Sequence, residues 1–159
     1  MEAKEWILFS LEPIAVTVAE GGDPFADPPK GTVKKEEPPP KPPLDPDQIF
    51  HDYPILGQTK VVVTPELKTV ITTLDEAGRH WGGAVAMCFN PRHGIRVIKG
   101  GKTYDLVICY ECMAADLYAD EKWIGSIFFA TEAGLLPRPA YLNGALMRAK
   151  VKLPDPPRH

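Results

Sequence analysis

The side chains best suited to chemistry are gathered in one stretch of the chain. All three cysteines lie there, Cys88 in MCFNPRHGI and Cys109 and Cys112 in VICYECM, with His93 between them. The pattern C-x4-H-x15-C-x2-C offers three thiolates and an imidazole, the donors of a Cys3His zinc site. Paired thiols also allow disulfide or redox chemistry, and a thiolate beside a histidine allows nucleophilic catalysis. His93, His80 and His51 are available for such a pairing, and the sequence does not place them relative to a thiol. Arg92 and His93 are the candidate binding residues, because Arg92-His93-Gly94 can form an anion site at a strand end.

Whether these groups meet depends on the elements that carry them. Ala84 to Ile98 and Thr103 to Tyr118 read as two long strands joined at Gly100-Gly101. Two glycines between β-rich runs suit a type I′ turn, which needs positive φ at both central residues. The register then sets Lys99 opposite Lys102, Val97 opposite Tyr104, Arg96 opposite Asp105, Ile95 opposite Leu106 and His93 opposite Ile108. Val97, Ile95, Tyr104, Leu106 and Ile108 share the core face, and Arg96–Asp105 is an opposite-charge pair on the other. In a straight strand residues three apart point to opposite faces about 10 Å apart, which separates Cys109 from Cys112. The same strand geometry argues against a redox CxxC, which needs its first cysteine at a helix N-terminus.

Pro91 cannot donate to a ladder, and a bulge beside it would move Cys88 from opposite Met113 to opposite Cys112. The residues therefore leave three readings of the thiols open. They are reduced core residues, or Cys88 is bonded to Cys112 with Cys109 free, or Cys88, His93, Cys109 and Cys112 hold zinc. Glycine-rich nucleotide loops, HExxH and GxSxG are absent. Asp105 and Glu111 fall on one strand face about 20 Å apart, too far for a catalytic carboxylate pair.

The remaining elements complete an α+β plan. Trp6 to Val18 reads as an extended edge strand, because Pro13 interrupts it. Lys60 to Thr64 reads as a strand. A helix follows, N-capped by Thr64, with Pro65 in its first turn and Gly78 just past its end. Leu67, Val70, Ile71, Leu74 and Ala77 form its apolar stripe. Lys122 to Thr131 is a further strand, after a turn at Ala119-Asp120-Glu121. Tyr141, Leu142, Ala145, Leu146 and Ala149 mark a second helix beginning near Pro139. The expected fold is an antiparallel sheet built on the Gly-Gly hairpin, with both helices packed to one side.

Ten of the 18 prolines fall between Pro13 and Pro46. The chain divides into an N-terminal extended segment 1–19, a Pro-rich linker 20–47, one domain 48–152 and a loose tail 153–159. The linker is too polar to offset its ordering entropy. The net charge of −3, with no basic stripe, argues against nucleic acid. No apolar run has the length of a transmembrane segment. Read as it stands, the chain is expected in the cytoplasm, or in an exported or periplasmic setting if a signal has been removed.

CFNPRHGI (Cys88–Ile95) followed by YDLVICYEC (Tyr104–Cys112) resembles a family of uncharacterised bacterial proteins, some of them lipoprotein-like or exported. FHDYPILGQTKV (Phe50–Val61) resembles the segment before the helix in that family. The resemblance spans roughly residues 48 to 147 and implies no known activity. It does imply that the cysteines and Pro91-Arg92-His93 form a shared signature. The expectation is a non-enzymatic binding or accessory domain, without a cofactor, for an unknown protein or small-molecule partner. The alternative is a zinc-binding or thiol/redox protein using Cys88, His93, Cys109 and Cys112.

Overall fold

The computed structural model describes residues 5–13, 45–79, 89–128 and 139–156. Cys88, His80, the strand expected over 84–88 and all of the linker except 45–47 lie outside them. The strands are β1 (Glu5–Leu11), β2 (Ile49–Phe50), β3 (Tyr53–Lys60), β4 (His93–Lys99), β5 (Lys102–Cys109), β6 (Ala114–Ala119) and β7 (Lys122–Phe128). The helices are α1 (Pro65–Arg79) and α2 (Ala140–Arg148). The strands form one antiparallel sheet in the order β2-β3-β1-β4-β5-β6-β7. Both helices cover one face, so the fold is α+β.

The Gly-Gly hairpin is the register-setting element. Gly100 and Gly101 have φ of 60° and 78°, and Lys99 pairs with Lys102. Every cross-strand pair expected from that turn is present, from Lys99–Lys102 to His93–Ile108. Ile95 and Ile108 are buried under Leu67 and Leu74 of α1 and Leu142 and Leu146 of α2, with Leu8 and Ala115 completing the core. Val97 and Leu106 pack at its margin, while Tyr104 stays exposed. Thr64 caps α1, since the Leu67 amide donates to its hydroxyl at 3.2 Å. The helix runs one residue past Gly78, to Arg79.

Several expected elements are corrected. The N-terminal strand is interior, between β3 and β4. Pairing ends at Leu11, so Pro13 lies beyond the ladder and does not confine β1 to an edge. The strand before α1 covers Tyr53–Lys60, and Val61–Thr64 is irregular. The expected Thr103–Tyr118 strand is two strands, because Tyr110–Met113 turns the chain and Met113 has φ of 52°. Regular pairing in β4 begins only at His93, after Pro91, which has no amide hydrogen to give.

The second face of the sheet is closed by a hairpin absent from the expected plan. His51 and Asp52 connect β2 to β3 with φ of 46° and 73°, a two-residue turn built without glycine. It lays Phe50 over Phe9, with ring centroids 4.3 Å apart, and His51 over Tyr118 at 3.7 Å. A Cβ on Gly94 would lie 2.6 Å from the Phe50 ring, so only glycine leaves room there.

Beneath the hairpin lies the Asp105 carboxylate, 1 % exposed. Arg96 donates to both its oxygens, from Nε at 2.8 Å and from an Nη at 2.7 Å, and His51 Nε2 reaches it at 2.7 Å. Burial pushes the Asp105 carboxyl up, but the Arg96 and His51 hydrogen bonds outweigh it and hold the group below its ordinary value. Its stabilising contribution is therefore present above the ordinary aspartate pKa and is lost as pH falls through the lowered folded value. Asp105→Asn should destabilise the domain by roughly 3 kcal/mol, since it leaves the Arg96 cation without its counter-charge. Urea unfolding at neutral pH checks this. A midpoint unchanged from the parent protein would show that the buried pair contributes nothing net.

Candidate functional site

His93 opens β4 and, as the partner of Ile108, points to the helix-covered face. There its Nε2 lies 2.7 Å from Asn143 Oδ1 on α2. A carbonyl oxygen only accepts, so Nε2 carries the proton and Nδ1 keeps a bare lone pair. Nδ1 is buried and meets no hydrogen-bond partner among the described residues. Burial is the main cause that lowers the His93 pKa to about 4. The Asn143 bond opposes the shift and the Arg92 charge adds to it. His93 is thus a neutral imidazole, an acceptor rather than a cation.

Arg92 precedes it in the chain and keeps its backbone in the sheet, through Arg92 N to Ile108 O at 3.2 Å and Leu11 N to Arg92 O at 3.0 Å. Its guanidinium is ion-paired with Glu111, and its Nε donates to the Asp155 carbonyl at 3.0 Å. The C-terminal residues are therefore drawn onto the domain, and Leu153 packs at the edge of the main core. Asn90, Arg92, His93, Tyr110, Glu111, Asn143 and the segment Leu153–Pro156, together with Pro139, enclose a pocket of about 340 Å³. Tyr110 sets its ring edge-on to His93 at 5.5 Å, and burial raises its phenol pKa.

The cysteines are arranged differently from the expectation. Cys109 and Cys112 are joined in a disulfide, with Cα atoms 5.2 Å apart. The straight-strand spacing that separated them does not apply, because β5 ends at Cys109 and the chain turns. This corrects the Cys88–Cys112 pairing, since Cys112 is already bonded. The Cys112 amide lies 3.0 Å from Cys109 Sγ and the Asn90 amide 3.2 Å from Cys112 Sγ. Phe89, Phe128 and Ala114 cover the bridge.

The sheet also divides the expected zinc set. Side chains alternate along β5, so Cys109 faces away from Ile108 and hence away from His93. Cys88 lies outside the described residues, and among those described no three His, Cys, Asp or Glu side chains gather into a metal-binding group. The candidate binding residues Arg92 and His93, by contrast, line one pocket. His51 belongs to the Asp105 cluster and approaches neither.

Asn90, Tyr110, Asn143 and the tail escaped the sequence reading. Asn143 carried the one usable signal, a polar residue between the core positions Leu142 and Leu146 near the start of a helix. No family model, curated protein or solved structure matches the chain. What fold and site define is a class, an α+β domain with a curled antiparallel sheet and a pocket at the strand end beside α2, lined by polar and apolar residues. No helix among the described residues is long and apolar enough to cross a membrane.

The folded pKa of His93 lies below its ordinary 6.5, so between those values the unfolded chain takes up a proton that the folded chain refuses. The associated stability is fully present above pH 6.5 and falls as pH drops towards 4, by about 3 kcal/mol across that window. Urea midpoints measured from pH 7.5 to 4 should show the loss, and His93→Gln should flatten it. The same slope in the variant would assign the acid sensitivity to other groups.

Proposed function

We propose that the chain is a non-enzymatic domain that binds a small molecule in the pocket between β4, the β5–β6 turn, α2 and the C-terminal segment. The observation that carries this reading is the convergence of four separated segments on one concavity. It has a neutral histidine and a paired arginine in its wall. The volume of about 340 Å³ suits a small organic ligand. Apolar groups (Pro139, Leu153 and Pro154) supply contact area, and a few polar groups supply orientation. Neither Cys109 nor Cys112 lines the space, so among the described residues no thiol stands beside His93. The resemblance carried by Cys88–Ile95 and Tyr104–Cys112 supports the same reading, because both motifs contribute to its wall.

Fragment titration followed by amide NMR tests it. Hits should shift Arg92, His93, Tyr110 and Asn143 together, and Leu153→Trp, which fills the pocket, should abolish them. Hits confined to another surface, or hits that survive Leu153→Trp, would overturn the assignment.

A second reading, a thiol-based or metal-binding protein, is favoured by one observation. The two sulfurs of the CxxC turn meet, and a backbone amide lies within hydrogen-bonding distance of each. Such amides also stabilise thiolates, so the reduced turn is suited to hold half of a zinc site. Elemental analysis of protein reduced and purified without added metal tests this. About one equivalent of zinc, lost in Cys109→Ser, would support it. Metal-free protein in which thiol counting finds Cys109 and Cys112 reduced would exclude it.

A further inference from the structure

The sequence marked Arg92-His93 as an anion site, and the charges around the pocket argue otherwise. Arg92 supplies the positive charge of the wall, and it is already engaged by the Glu111 carboxylate and the Asp155 carbonyl. Glu111 and Asp155 bring two carboxylates, against that single guanidinium. An entering anion would meet a cation that is already neutralised, and would have to displace Glu111 to use it. The hydrogen-bonding groups point the same way. His93 Nδ1 and Asn90 Oδ1 belong to residues lining the pocket, both are acceptors, and both are buried with no partner among the described residues. The His93 proton is committed to Asn143, so the ring has no N–H to offer. Buried acceptors without donors are costly, and both atoms are closed to solvent as they stand, so a ligand N–H relieves them where the wall gives way to admit it. Asn90 is half-buried and can turn its amide towards the opening.

We propose that this pocket takes an uncharged molecule of the carboxamide class and discriminates against carboxylates. The inference rests on the pocket being a ligand site. A primary amide carries two donors on one nitrogen, and an attached apolar group would lie against Leu153, Pro139 and Pro154.

Benzamide and benzoate are matched in size and differ in charge and donors, so the full chain titrated with each under amide NMR is the test. Benzamide should bind about tenfold more tightly, the effect of one well-made hydrogen bond with no charge repulsion. Glu111→Gln, an exposed position, should release the Arg92 guanidinium and raise benzoate affinity relative to benzamide by about tenfold. Asn90→Leu should weaken benzamide selectively. Tighter binding of benzoate by the parent protein, or no gain of benzoate in Glu111→Gln, would overturn the ligand class and leave the pocket reading standing. Silence of both probes, while other fragments occupy the pocket, would also overturn the class. Silence of every fragment at the pocket would overturn both.

Discussion

The second face of the sheet is organised by one buried carboxylate. Asp105 sits mid-strand at 1 % exposure, and an unpaired charge there would be prohibitive. Its cross-strand neighbour Arg96 satisfies both oxygens, and that guanidinium lies 5.3 Å from the Phe50 ring centroid and 5.9 Å from that of Phe9. His51 reaches the same carboxylate from a segment 54 residues away in sequence. The ion pair thus draws the β2–β3 hairpin over a face that would otherwise expose Phe9, Leu11 and Val107. The left-handed backbone of His51 and the bare Cα of Gly94 are local concessions to that closure. The polar contact directs, and the aromatic burial it permits contributes most of the energy.

Closing both faces turns the sheet into a partition. His93 is on the helix side, held to α2 through Asn143, and the Cys109–Cys112 bridge is on the other side under Phe89 and Phe128. The β5–β6 turn serves both. Its end residues close the disulfide, while Tyr110 and Glu111 between them reach the pocket wall. Glu111 in turn holds Arg92, and Arg92 holds the C-terminal segment. Residues adjacent in the sequence motif are thereby assigned to two tasks, one bracing a turn and the other shaping a cavity.

Much of the fold was legible because it is written in local rules. Gly100-Gly101 set the central register, and every pair from Lys99–Lys102 to His93–Ile108 follows from it. The α1 stripe and the Thr64 cap are equally local. The His51-Asp52 turn was harder, because it adopts the positive φ that glycine usually signals, whereas the Asp120-Glu121 turn was expected despite the same backbone. Asp120 recovers part of that strain by accepting from the Thr103 amide at 2.9 Å. The interior position of β1 is not legible from Pro13, because the ladder stops before that proline.

By itself the sequence determined the fold class, the central hairpin, both helices and the naming of Arg92 and His93 as binding candidates. These depend on periodicity, turn chemistry and side-chain type, all of which act over a few residues. Tertiary structure decided the rest. Four turn residues, Tyr110–Met113, reversed the chain and brought together two sulfurs that a straight strand keeps apart. Strand alternation sent His93 and Cys109 to opposite faces, separating two members of a ligand set that looked complete on paper. Asn143 came from a distant segment to fix the tautomer of His93, Glu111 to neutralise Arg92, and the Asp155 carbonyl to accept from its Nε. Charge and protonation depend on what surrounds a group in space, and spacing along the chain does not encode those neighbours.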